Sequence, residues 1–161
     1  MTTDGGAPEA GEALLRASRV LVGVAARSLV GVDKVTLPQF RALVVLSSRS
    51  GMMMSDLAAA LEVHPTTATR LCDRLVGKRL IRRVQGDDDR RANEVHLTAD
   101  GRRLVDRVTQ RRLRDLNEIA ARMDKSSVDA VVGALTAFAE AAGEPTDATD
   151  LFGWDVPDAF G

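Results

Sequence analysis

Residues 65–91, PTTATRLCDRLVGKRLIRRVQGDDDRR, constrain the fold more than any other stretch. In the first half Ala68, Leu71, Cys72 and Leu75 recur at i, i+3, i+4 and i+7, the spacing of one apolar stripe on a helix. Thr67, Arg70 and Arg74 fall on the opposite face, with Thr66, Thr69 and Asp73 beside them. Pro65 fits the first helical position, where its missing N–H costs nothing. His64 before it is a poor N-cap compared with Ser or Asp. A short helix with hydroxyls at its exposed N-terminus and arginines further along suits a DNA major groove. Threonine reaches phosphates and thymine methyls, and arginine makes bidentate contacts with guanine. An ordinary solvated helix face has the same composition, so the helix alone does not decide.

The second half does. Leu80, Ile81 and Val84, with Val95 and Leu97, predict two short strands. Between them Gly86-Asp87-Asp88-Asp89-Arg90-Arg91 is a polar turn too charged to pack. A hairpin directly after such a helix is a wing. Arginine at its tip suits the narrow minor groove of A·T-rich DNA, where the negative potential is strongest. The candidate DNA-binding residues are Thr66, Thr67, Thr69, Arg70, Arg74, Asp89, Arg90 and Arg91.

The run SDLAAALEV at 55–63, then HPTTATRLCDRL, then DDDRRANEVHLTADG, resembles the MarR family of winged helix-turn-helix regulators, from about Thr36 to Leu104. Asp89-Arg90-Arg91 fits that family's D-x-R wing signature, and LTADG its L-T-x-x-G start of the next long helix. Three positions depart from the pattern. Met53 stands where a capping Thr or Ser is usual, and Glu62 and Arg79 where turn glycines are common. A non-glycine residue in a left-handed turn costs roughly 1 kcal/mol. The resemblance implies a homodimer on a pseudo-palindromic double-stranded operator. It also implies repression by promoter occlusion, with release when a small aromatic or anionic compound binds between platform and lobe. Asp89 would orient Arg91 by a salt bridge.

A chain of 161 residues predicts one domain-sized unit. The net charge of −1 hides segregation. Eight basic residues against four acids lie between Arg70 and Arg91, and only acids lie from Glu140 to Gly161. Local field, not total charge, governs phosphate binding. No apolar run approaches the ~20 residues that span a membrane, and the N-terminus lacks signal-peptide features. The expected location is cytoplasmic. One cysteine excludes an intrachain disulfide and a cysteine-cluster metal site.

Along the chain, residues 1–8 are expected to be disordered. A long helix from Glu9 to Val32 is apolar on more than one side (Leu14, Leu21, Val24, Val30), for which a subunit interface is the simplest reason and a deep intrachain core the alternative. Thr36 and Gln39 form a capping box for a helix to about Ser48 that buries Phe40, Leu43, Val44 and Leu46. Met52, Met53 and Met54 read as a core edge. The sharper alternative is a soft ligand pocket of Phe40, Val44 and Met52. Ser55–Leu61 is the scaffold helix. Thr98 caps a helix to about Met123 that turns Leu104, Val105, Val108, Leu113, Leu116 and Ile119 inward. Its arginines (102, 103, 107, 111, 112, 114) read as a solvated face, some of them pairing with the acidic C-terminal segment. Ser126 or Ser127 starts a last helix to about Ala142, with Val128, Val131, Val132, Leu135 and Phe138 apolar.

Residues 143–161 interleave acids with Leu151, Phe152, Trp154, Val156 and Phe160. Such a tail either packs across the dimer platform or competes with phosphate for the basic lobe.

His64 and His96 lie far apart in sequence, and no nucleophile motif, phosphate loop or EF-hand spacing occurs. No metal, cofactor or enzymatic activity is expected. The fold expected is mostly α with a small β-hairpin wing, a winged helix-turn-helix lobe on a helical dimerisation platform. The division is a dimerisation helix in 1–35, the lobe in 36–97, and further dimerisation helices with the tail in 98–161. The function expected is sequence-specific DNA-binding regulation, as a repressor released by a small-molecule effector. The alternatives are a winged-helix protein-interaction module and a redox sensor acting through Cys72.

Overall fold

Six helices and a three-stranded sheet make up the computed structural model, which describes residues 6–32, 35–49, 51–84 and 94–143. In chain order these are α1 (Gly6–Ser28), α2 (Leu37–Ser47), β1 (Met52–Met53), α3 (Met54–Ala60), α4 (Pro65–Gly77), β2 (Ile81–Val84), β3 (Glu94–Leu97), α5 (Ala99–Ala120) and α6 (Lys125–Ala141). The mostly helical fold with a small antiparallel sheet matches the expectation from the sequence. No helix among the described residues is long and apolar enough to cross a membrane.

The helix boundaries follow local chemistry. The Thr36 hydroxyl accepts from the Gln39 N–H, and the Gln39 side chain accepts from the Thr36 N–H at 3.2 Å, so the capping box forms. The same Gln39 oxygen takes a 3.1 Å bond from Lys78 just past α4, which ties the start of one helix to the end of another. Met53 sits at the N-cap of α3 and supplies no side-chain bond. Glu62 and Arg79 adopt φ of 54° and 59°, the left-handed turns expected at those positions.

Several boundaries differ from expectation. α1 starts at Gly6, inside the stretch read as disordered, and ends at Ser28 rather than Val32. His64 is a better cap than its residue type implies, because its Nδ1 accepts from the Thr66 N–H. Asp124, not a serine, caps α6. It accepts from the Ser127 N–H and from the hydroxyls of Ser126 and Ser127, which together hold its carboxyl well below the usual carboxylate range.

The sheet has the order β1-β3-β2, one strand more than the hairpin expected. Ile81 pairs with Leu97 and Val84 with Glu94, while Met52 and Met53 pair with Val95 and Glu94 on the other edge of β3. Met52 is therefore a buried sheet residue. The core gathers Phe40, Leu43 and Leu46 of α2 with Leu57, Cys72, Leu75, Ile81, Val95 and the first half of α5.

Leu104, Val105 and Val108 are buried as expected, but Leu113 is exposed and Leu116 and Ile119 only half-buried. α6 buries none of its residues, and Val131, Val132, Leu135 and Phe138 stand open to solvent. α1 likewise exposes Leu15, Val20, Leu21 and Val22. These surfaces border an apolar groove of roughly 880 Å³ between α1, α5 and α6.

Candidate nucleic-acid interface

The stripe read from the sequence seals α4 to the core. Ala68, Cys72 and Leu75 are each 0% exposed, and Leu71 is half-buried. A helix locked on one face has no freedom to roll, so its other face is fixed in direction. That face presents Thr66, Thr67, Thr69, Arg70 and Arg74, all exposed. The Thr69 hydroxyl donates to the Pro65 carbonyl at 3.0 Å, and the Thr66 hydroxyl lies 3.0 Å from His64 Nδ1. Both oxygens keep lone pairs, and the threonine methyls stay available for apolar contact.

The base of the wing is built as β2 and β3. Asp89, Arg90 and Arg91 lie outside the described residues, so their placement and the Asp89–Arg91 pair rest on the sequence alone. The structure adds a residue pair that the sequence reading passed over. Arg83 on β2 donates to Asp73 on α4 at 2.5 Å, with both side chains substantially exposed. The bridge ties the wing strand to the outward side of α4. An exposed pair contributes at most about 1 kcal/mol, so its effect is on orientation more than stability. Arg82, exposed on the same strand, is a second basic residue near this surface.

Thr98 fastens the other end. Its hydroxyl donates to the carbonyls of Arg79 and Leu80 and accepts from the Gly101 N–H. The turn that ends α4, the end of β3 and the start of α5 thus meet at one side chain.

The arginines of α5 are not a uniformly solvated face. Arg102 reaches the Ser47 carbonyl at the end of α2, and Arg111 reaches the Ser28 and Val30 carbonyls at the end of α1. These bonds satisfy carbonyls that a helix terminus leaves unpaired. Arg112 turns inward. Its Nε donates to the Ser28 hydroxyl at 3.0 Å, and its guanidinium stands 4.7 Å from the centre of the Phe40 ring. Its Nη2 is buried with no hydrogen-bond partner among the described residues, and burial pulls the group below the usual arginine range. Arg112, Phe40 and Val44 line a cavity of roughly 510 Å³ with Leu37, Leu61 and Leu71. Met52 is not part of it. It belongs to the sheet, so of the three pocket residues read from the sequence two come together.

Cys72 is fully buried on the inner face of α4, and burial pushes its thiol up to about 11, against a lowering by the Arg83 charge and with a smaller rise from Asp73. A thiol at that value holds almost no thiolate at neutral pH. Cys72→Ala is expected to cost about 1 kcal/mol in a urea melt, for a small cavity. Peroxide should leave DNA binding of the wild type unchanged. Release that disappears in the variant would restore the redox reading.

The sequence profile of the MarR family matches residues 35–92. The chain is 30% identical over 110 residues to an uncharacterized HTH-type transcriptional regulator, YsmB, of Bacillus subtilis (strain 168). That match spans 66% of this chain and 75% of YsmB. Over 67 residues it is 36% identical to the HTH-type transcriptional repressor MdtR of the same organism, covering 42% of this chain and 43% of MdtR. Among solved structures, RV1404 from Mycobacterium tuberculosis is 41% identical, with a TM-score of 0.80 over 91% of this chain and 99% of that one. A MarR family protein from Bacillus stearothermophilus, 21% identical, shares the fold with a TM-score of 0.77 over 89% of this chain and 99% of that one. Profile, relatives and fold agree with the fixed, outward-facing α4: the chain belongs to the MarR family of winged helix-turn-helix transcriptional regulators.

Proposed function

We infer that the chain works as a homodimer that reads a pseudo-palindromic operator and represses the promoter it covers. The carrying observation is α4, sealed on one side and presenting Thr66, Thr67, Thr69, Arg70 and Arg74 on the other. In this reading Arg70 contacts a base edge, Arg74 and the threonines hold phosphate, and Arg90 and Arg91 enter the minor groove with Asp89 orienting Arg91. The exposed apolar faces of α1 and α6 are the platform on which two copies pair. A two-fold axis there would place the two α4 helices about 34 Å apart, in successive major grooves. Residues 36–97 are then the DNA-binding lobe, and the flanking segments 1–35 and 98–161 the dimerisation part. The name of MdtR supports repression as the sign of regulation.

The cavity beside Arg112 is the proposed effector site. Phe40 offers a flat apolar wall, and Arg112 a charge with one N–H direction unused, so a small aromatic or anionic compound fits both. The cavity lies between α2 and α5, and an occupant there can favour a lobe spacing that no longer matches DNA.

Selection of bound fragments from the source genome tests this reading. Enriched fragments should share two inverted half-sites about 10 bp apart, with binding that falls steeply as salt rises. Enrichment without a shared motif, or binding indifferent to salt, would leave the protein-interaction reading in its place.

A further inference from the structure

A second cavity, of roughly 500 Å³, opens between the end of α1 and the middle of α5. Arg107, Arg111 and Arg114 line it, at the i, i+4, i+7 spacing of one helix face. Val32 and Val108 form its apolar wall, and Val30 beside it is 70% exposed. Arg111 spends its N–H bonds on the carbonyls of Ser28 and Val30, which are neutral, so its charge is not cancelled. Arg111 and Arg114 make no ion pair among the described residues. This is a basic, partly apolar recess on a chain whose net charge is −1, and the operator-reading face lies elsewhere, on α4.

We propose that this recess is the docking site of the chain's own acidic segment, residues 144–161. The segment carries Glu144, Asp147, Asp150, Asp155 and Asp158 and no basic residue. Its acids are interleaved with Leu151, Phe152, Trp154, Val156 and Phe160, so it offers both charge for the arginines and apolar side chains for the wall formed by Val32 and Val108. Reach is sufficient. Eighteen residues extend to roughly 60 Å, nearly twice the roughly 33 Å length of α5. The recess lies where α1 gives way to the start of the DNA-binding lobe, so a docked segment braces the junction between platform and lobe.

Trp154 is the only tryptophan, so its fluorescence in the full chain reports on docking directly. In low salt, acrylamide should quench Trp154 weakly. Replacing Asp147, Asp150, Asp155 and Asp158 together with Asn should raise the quenching constant about twofold, since each exposed pair is individually weak. Arg111→Gln with Arg114→Gln should raise it equally, and the two sets combined should add nothing further. High salt should do the same to the wild type alone. The tail variant alters none of the described residues, so it decides the matter even if the arginine variant proves unstable. Unchanged quenching in the tail variant overturns the proposal. Additive effects of the two sets also overturn it, since the acids and the arginines would then act apart. If inorganic phosphate binds the arginines saturably while the tail variant behaves like wild type, the recess belongs to a free anion instead.

Discussion

Gly101→Ala is expected to destabilise the protein by about 3 kcal/mol, far more than one methyl group on an ordinary helix. Gly101 sits in the first turn of α5, and a Cβ there would overlap the Leu80 carbonyl oxygen and stand 2.8 Å from Leu97 Cδ1. The obstacle is backbone, which cannot swing aside as a flexible side chain can. Leu80 follows the turn that ends α4, and its carbonyl already receives bonds from the N–H and the hydroxyl of Thr98. Displacing it strains the junction that sets α4 against β3 and α5. Gly77→Ala is the control, because nothing lies within 4 Å of a Cβ at that position. It should be neutral or stabilising by up to about 1 kcal/mol, as glycine in a helix costs backbone entropy. Urea denaturation followed by circular dichroism reads both, and similar effects for the two variants would show that the close approach is not tight.

Phe138→Glu is expected to convert a dimer to a monomer. Phe138 is 51% exposed on α6, a helix with no buried residue of its own, beside an apolar groove shared with α1 and α5. Burying such a side chain contributes about 1.5–3 kcal/mol, and a carboxylate put in its place also loses hydration. A two-fold interface presents the substitution twice, so the loss should be on the order of 5 kcal/mol per dimer, several thousandfold in dissociation constant. Sedimentation should show a species of twice 17.3 kDa for the wild type and one of 17.3 kDa for the variant. DNA affinity should fall with it, since a single lobe loses the second half-site. A wild type that sediments as a monomer, or a variant that stays dimeric, would remove α6 from the platform.

How much of this was legible in the sequence depends on how local each signal is. The stripe Ala68, Leu71, Cys72, Leu75 marked the buried face of α4 because helical period alone fixes it. The Thr36–Gln39 box was readable for the same reason, since both partners lie within one turn. β1 was not readable: two methionines become a strand only because β3 has a free edge to pair with. The arginines of α5 look like a solvated face in the sequence because their partners lie far away along the chain. Arg111 and Val30 are 81 positions apart, and nothing near Arg111 announces a helix end needing a donor. Arg83 was counted as one more positive charge, although Asp73 on α4 claims it. The apolar residues of α1 and α6 predicted packed surfaces, but helical period does not say whether a subunit or the chain's own core covers them; in the structure many of them stand exposed.

The most direct test of the central claim, that α4 reads bases, is equilibrium binding of wild type and Arg70→Ala to a selected operator. The same titration is run on copies of that operator changed at one base pair at a time. Wild type should lose about 1–3 kcal/mol at several positions. Arg70→Ala should lose that discrimination at one position while keeping the others. If Arg70→Ala discriminates at every position as the wild type does, Arg70 does not read a base. If the wild type binds all copies equally, α4 does not read sequence.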